Sequence, residues 1–303
     1  MIGRKQDASS LNNFMPKYID IHSHTNFKAF EEDGDEVIQR ALDNGTWVIN
    51  VGSQYSTSKR AVEIANKYET GVFACVGLHP IHLEEQFHDD EEIGGEGFTT
   101  RAEEFDKEAY RELLKDPKVV GIGECGLDYY HLNKDSVEKQ KKAFIEQIEL
   151  ANEVNKPLML HMRNNPTDKS LNVYDDVLEI LKKYAKACPE GSGVKGVSHC
   201  FSGTAKDMKN FVDLGFYISF SGNVTYKHKA GFPDYEEIIK ATPLDKILTD
   251  TDSPYLAPVP HRGERNEPVY VKEIVKKIAE IKNLEEEIIA KSIVENAKRL
   301  FDI

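Results

Sequence analysis

Eight short apolar, β-branched runs recur along the chain, and in the first of them apolar and polar positions alternate with period two. The runs are "KYIDIHSH", "WVINVGS", "VFACVGLHP", "VVGIGECGLDY", "PLMLHMR", "GVSHCF", "YISFSG" and "KILTDTDSP". Their length and β-branched content read as strands. Between most of them the period lengthens to that of a helix, as in "EEDGDEVIQRALDNG", "SKRAVEIANKYE", "SVEKQKKAFIEQIELANEVNK" and "VYDDVLEILKKYAK". Gly45, Gly71 and Gly215 stand between a helical segment and the next strand, where helix C-caps are expected. "RAEEFDKEAYRELLKD" also looks helical, and the C-terminal "EPVYVKEIVKKIAEIKNLEEEIIAKSIVENAKRLF" reads as two amphipathic helices packing on the outside. Strand and helix in alternation predict an α/β fold with a parallel sheet and right-handed crossovers. Eight units could close into a barrel, and an open doubly wound sheet explains the alternation equally well.

The polar residues inside these runs fall at one end. Strand one finishes in His22 and His24, strand three in His79 and strand four in Glu124. Strand five finishes in His161 with Arg163 two residues on, strand six in His199, and strand eight in Asp250 and Asp252. In a barrel the C-terminal strand ends meet on one face, where active sites of that fold lie. A single histidine or acid at a strand end has ordinary structural explanations, and Asp252 could simply cap the turn begun by Pro254. Taken together, so many buried polar groups need a partner to offset their desolvation, and a divalent cation is a natural one for imidazole and carboxylate. His-x-His on a strand puts both rings on one face, about 7 Å apart in rise. Ile19 and Ile21 then point outward, and Asp20, one step deeper than His22, reads as a group that orients a histidine. Four histidines, one Glu and one Asp exceed what one tetrahedral ion needs. The number suits two ions about 3.5–4 Å apart with a bridging carboxylate, and Glu124 on a middle strand fits the bridge. Nitrogen and oxygen ligands without thiolate suit zinc, manganese or a similar ion, while magnesium prefers fewer imidazoles.

Composition narrows the picture. The 303 residues can form two domains or one α/β barrel. No apolar run approaches the roughly 18 residues of a membrane span, and the N-terminus lacks the apolar core of a secretory signal. Residues 1–16 are expected to be a disordered leader, 17–303 the folded domain, and the cytoplasm the location. Cys75, Cys125, Cys188 and Cys200 form no CxxC pair, so reduced thiols without a metal role are expected. Net charge is 39 − 52 = −13, the wrong sign for coating nucleic acid. Seven carboxylates and no Lys or Arg lie between Glu84 and Glu96, and without them the charge would be −6. They mark an acidic insertion over residues 82–98, after strand three. Gly121-x-Gly123-x-x-Gly126 mimics a dinucleotide fingerprint, but no helix opens behind it. "SHCFSGT" lacks the GxSxG of a serine hydrolase.

With these residues in hand, the sequence resembles the TatD family of metal-dependent deoxyribonucleases, in the amidohydrolase superfamily. The matching segments are "IDIHSH", "CVGLHP", "GIGECGLDYY", "LHMR", "SHCFSGT", "DLGFYISFSG" and "DTDSPYLAPVPHRGERNEP", in the family's order from about residue 18 to 301. The resemblance implies a single (β/α)8 TIM-type barrel binding two divalent ions, zinc, manganese or magnesium. It implies that His22, His24 and Asp252 hold the first metal, that Glu124 bridges both, and that His161 and His199 hold the second. Asp252 would also be the base for the attacking water, and His79 and Arg163 would line the substrate side. Thr25 and Asn26 replace the family's Leu-Asp, which points to altered substrate fit there, and Asp250 replaces a Glu. The implied activity is hydrolysis of DNA phosphodiesters, trimming from a 3′ end, without an obligate protein partner and without a membrane. An acidic insertion over the mouth would favour short or single-stranded ends. The same metals could instead serve an ester or amide hydrolase, such as an aminoacyl-tRNA deacylase, because the chemistry at carbonyl and phosphorus is related. A metal-free binding module would leave buried charges uncompensated.

Overall fold

The computed structural model of the chain describes residues 15–85, 87–88, 98–99, 102–130, 136–168, 170–185, 193, 195–229, 231 and 233–303. Residues 1–14 of the expected leader, most of the acidic insertion and Cys188 lie outside the described residues. The strands are β1 (Tyr18–Ser23), β2 (Thr46–Val51), β3 (Val72–Val76), β4 (Phe87–His88), β5 (Phe98–Thr99), β6 (Val119–Asp128), β7 (Leu158–Arg163), β8 (Gly196–Ser198), β9 (Tyr217–Phe220) and β10 (Ile247–Thr249). Eight of them form one parallel sheet in the order β1-β2-β3-β6-β7-β8-β9-β10, and β4 and β5 pair antiparallel within the connection after β3. The eight are the eight short apolar runs of the sequence, wound as a TIM-type barrel.

The helices are α1 (Gly34–Asp43), α2 (Tyr55–Ala65), α3 (Lys107–Leu113), α4 (Ser136–Val154), α5 (Val173–Ala185), α6 (Ala205–Asp213), α7 (Tyr235–Ala241), α8 (Val271–Lys282) and α9 (Glu286–Phe301). The helix expected over "RAEEFDKEAYRELLKD" is shorter, because Asp106 caps it by accepting from the backbone N–H of Glu108 and Ala109. α6 and α7 complete the last βα units, started by Thr204 in a capping box and by Asp234. Gly45 and Gly215 follow the caps of α1 and α6 with positive φ, as expected. Gly71 does not cap a helix: α2 ends at Ala65 with Asn66 as its cap, and Gly71 turns the loop into β3. Ile19 and Ile21 are fully buried in the apolar layer that the strands share with the helices, together with Ile38, Val275 and Ile293. Among the described residues no helix is long and apolar enough to cross a membrane.

The barrel closes where β10 meets β1. Backbone bonds run there from Asp252 N–H to the His22 carbonyl (2.9 Å) and from His24 N–H to the Ser253 carbonyl (2.8 Å). Deeper in the seam the Asp20 carboxylate accepts the Thr251 N–H at 2.8 Å and its hydroxyl at 2.6 Å. Asp20 therefore does not orient a histidine ring, as its place beside His22 suggests. Its partner arrives from a strand some 230 residues away, and the carboxylate joins the first strand to the last.

Candidate metal centre

The strand ends bring His22, His24, His79, Glu124, His161, His199 and Asp252 to one mouth of the barrel. β1 presents His22 and His24 with their Nε2 atoms 3.0 Å apart. Glu124 Oε2 lies 3.4 Å from the first and 3.7 Å from the second, and Asp252 Oδ1 lies 3.7 and 3.5 Å from them. Ligands at about 2.0–2.1 Å from a tetrahedral ion lie roughly 3.3–3.4 Å from one another. The four atoms thus bracket the spacing of one ion's ligand shell. The ring of His24 is set for it: its Nδ1–H donates to the Val51 carbonyl at 2.9 Å, which leaves the Nε2 lone pair facing the cluster.

The other oxygen of Glu124 faces a second group. Oε1 is 2.8 Å from His161 Nδ1 and 2.8 Å from His199 Nε2. His161 Nε2 in turn bonds Asp128 Oδ2 at 2.9 Å. A carboxylate on the far nitrogen fixes the ring and raises the basicity of the near one, a common support for a metal-binding histidine. Asp128, 1 % exposed at the end of β6, was missed by the reading of strand ends because that reading stopped at Glu124. The signal was present: residues 124 and 128 share a face of one strand. Their approach to β7 depends on Gly126, whose φ is +139° and where a Cβ would lie 2.1 Å from the His161 carbonyl oxygen. The rings of His22 and His199 stack at 3.9 Å, and neither Nδ1 has a partner among the described residues.

The charge states follow from burial and neighbours. Burial, helped by His199, pushes His22 down to about 3, so it is neutral at pH 7 with a nitrogen free for a cation. Burial opposes the charged form of Glu124, but the surrounding histidines outweigh it and hold the carboxyl well below its ordinary range. Asp252 is also held low, burial being overcome by the neighbouring histidines His24, His199 and His22. For His161 burial is again overcome, here by Asp128 and Glu124, which raise it to about 9. Burial lowers His79 to about 4. Its Nδ1 accepts the Ile81 N–H at 3.1 Å, so the neutral ring carries its proton on Nε2. That proton points toward Glu124 Oε1 at 3.3 Å. Although His79 lies within ligand range of Glu124 and His161, this tautomer makes it a donor and not a ligand.

A cleft of about 1390 Å³ opens above these groups and includes Arg163 in its lining. The Arg163 guanidinium stacks on Tyr130 at 3.7 Å. Asn26 does not face this cleft. It is 1 % exposed and gives its amide hydrogens to the carbonyls of Val51 and Thr57. Thr25 bonds Asn50 inside the barrel end, so the pair that departs from the family pattern braces β1 against β2. Asp250 is wholly buried too, accepting from the hydroxyls of Ser219 and Ser221 and from the Cys200 N–H. Cys75, Cys125 and Cys200 are free thiols, and burial pushes each pKa up.

Known proteins share this architecture. A family model described as TatD related DNase matches residues 19–302. The uncharacterized metal-dependent hydrolase YabD of Bacillus subtilis is 38% identical over 286 residues, covering 94% of this chain and 98% of that protein. A protein of Shigella flexneri named 3′-5′ ssDNA/RNA exonuclease TatD is 29% identical, over 94% of this chain and 98% of its own length. The crystal structure of YJJV, a TatD homologue from Escherichia coli, superposes with a TM-score of 0.77 at 26% identity, covering 95% of this chain and 99% of that one. With a histidine- and carboxylate-lined barrel mouth and a family match across nearly its whole length, the chain belongs to the TatD family of metal-dependent hydrolases.

Proposed function

We propose that this hydrolase cleaves phosphodiester bonds in DNA, working from 3′ ends of single strands with two divalent cations. The observation that carries the reading is the division of Glu124. Oε2 faces His22 and His24, and Oε1 faces His161 and His199, as a carboxylate shared by two ions would. His22, His24 and Asp252 would hold the first cation and His161 and His199 the second, with Glu124 common to both. When bound, the cations supply acidification of a water and neutralisation of charge on the phosphoryl oxygens. The protein groups divide the remaining work. Asp252, ionised and 17 % exposed, can accept the proton of the attacking water. Arg163, held flat against Tyr130, presents N–H groups to a phosphate, and His79 Nε2–H is a second donor at the cleft wall. The name of the Shigella flexneri relative, a ssDNA/RNA exonuclease, supports the choice of single-stranded nucleic acid.

The test is hydrolysis by purified protein of known metal content, on single-stranded DNA with a free 3′-hydroxyl and on a misacylated tRNA. Metal-dependent release of nucleotides, lowered at least about a thousandfold in Glu124→Ala, is the expected result. Turnover of the acyl ester alone would overturn the reading in favour of a deacylase.

A further inference from the structure

The cleft above the metal centre carries cations that the chemistry at Glu124 does not use. Tyr226, Lys227 and Lys229 lie on the connection from β9 to α7, and Arg262 on the connection from β10 to α8. The Arg262 guanidinium stacks on the Tyr226 ring at 3.9 Å, repeating the stack of Arg163 on Tyr130 at 3.7 Å. A guanidinium placed over a ring leaves most of its N–H donors available for a planar or tetrahedral anion. Neither arginine, and neither lysine, has a carboxylate within ion-pair range among the described residues. Arg40, Arg111 and Arg265 are paired with acids, whereas Arg163 and Arg262 face the cleft without such a partner among the described residues. The acids nearest in the lining are occupied: Asp234 caps α7 by accepting the Glu237 N–H, and Glu236 pairs with Lys240. So a chain of net charge −13 turns several unpaired positive groups toward the cleft.

The platform is also rigid. Tyr226 Oη donates to the Ala257 carbonyl at 2.9 Å, and the Val259 N–H donates to Thr225 Oγ1 at 2.9 Å. The two connections touch at Gly222, where a Cβ would lie 1.9 Å from the Leu256 carbonyl oxygen. Around the barrel the second stack is three strands from the first, β6 to β9 and β7 to β10. The cleft of about 1390 Å³ exceeds the roughly 300–1,000 Å³ of an ordinary small-molecule pocket.

We propose that the Tyr226–Arg262 stack with Lys227 and Lys229 is a distal phosphate-binding arm, which holds the body of a single-stranded nucleic acid while its end lies at the metal centre. The inference rests on the phosphodiesterase reading above and adds a length requirement: a strand must be several nucleotides long to reach both stacks. It also explains how an acidic protein binds a polyanion, through a few oriented cations in place of a basic surface.

The holoenzyme, wild type and with Lys227→Gln, Lys229→Gln and Arg262→Gln combined, is titrated into fluorescent thymidylate oligomers of three and twelve nucleotides. Phosphorothioate 3′ linkages slow their hydrolysis, and anisotropy is followed across salt concentrations. The three side chains are exposed, so the fold is retained. We expect the variant to bind the twelve-mer at least about tenfold more weakly, and its salt slope to fall by roughly 2, near 0.7 per lost phosphate contact. The three-mer should be affected less, so the affinity gap between the lengths narrows. Unchanged twelve-mer affinity and slope would overturn the arm while leaving the hydrolase assay intact. A wild type that binds neither oligomer and releases no nucleotides overturns the arm together with the reading beneath it.

Discussion

Asp128 decides how His161 is presented. Its Oδ2 takes the Nε2 side of the ring, and its Oδ1 accepts the Tyr130 N–H at 2.9 Å. Asp128→Asn can keep the second bond and turn its NH₂ toward the ring, where it faces the histidine N–H that the carboxylate accepted. We expect metal affinity to fall about 10–100-fold, with unfolding of the metal-free protein little changed. Competition with a chromophoric chelator measures the first and urea denaturation the second. An unaltered affinity would reduce Asp128 to a loop cap. At this scale the sequence was readable for His22, His24, Glu124, His161 and His199, each at the end of a polar-terminated strand. It was unreadable where the role depends on a contact between distant segments. Asn26 and Asp250 look like cleft residues by position and are buried braces by contact, while Tyr130 and Tyr226 gain meaning only under their arginines.

Pairs of strands hold the ligands in register, and two positions test that. At Gly126 any side chain meets the His161 carbonyl, since a Cβ there would be 2.1 Å away. Gly126→Ala should push β6 from β7, separate Glu124 from His161 and cost at least about 2 kcal/mol, seen as a lower urea midpoint together with lost metal. Wild-type stability in this variant would mean that β6 can shift without penalty. At the seam, Asp20→Ala strands the Thr251 N–H and hydroxyl in a buried place, at about 1–3 kcal/mol for each. Here the loss should be in stability more than in metal affinity, because Asp20 touches no ligand ring. The eight strands were legible as short apolar, β-branched runs, because barrel strands are buried on both faces. The seam was not, because pairing of first with last strand leaves no local periodicity. α6 and α7 were passed over for a related reason: each is short, at two turns or so, and its start is set by a cap more than by an apolar stripe.

Charge acts on the molecule as a whole, and the negative total opposes the positive groups of the cleft. The total is −13, of which the seven carboxylates between Glu84 and Glu96 supply more than half. They follow β3, whose end leads to His79 in the cleft wall, and Glu84 reaches Lys139 of α4 at 3.0 Å. Their charge adds to the net negative field against which a polyanion must approach the unpaired arginines. Replacing the seven carboxylates by their amides keeps chain length and brings the total to −13 + 7 = −6. At low ionic strength, near 0.01 M, screening extends over about 30 Å, so the substitution should raise the association rate and kcat/KM on long single-stranded DNA. At 0.15 M the screening length is about 8 Å, and the advantage should largely vanish. Oligomers of two or three nucleotides carry few charges into the field and should respond weakly at either salt. Equal rates for both proteins on long DNA at 0.01 M would show that the segment does not govern access. Entry would then be set by the cleft alone, with the unpaired Arg163 and Arg262 setting the rate at which a strand is captured.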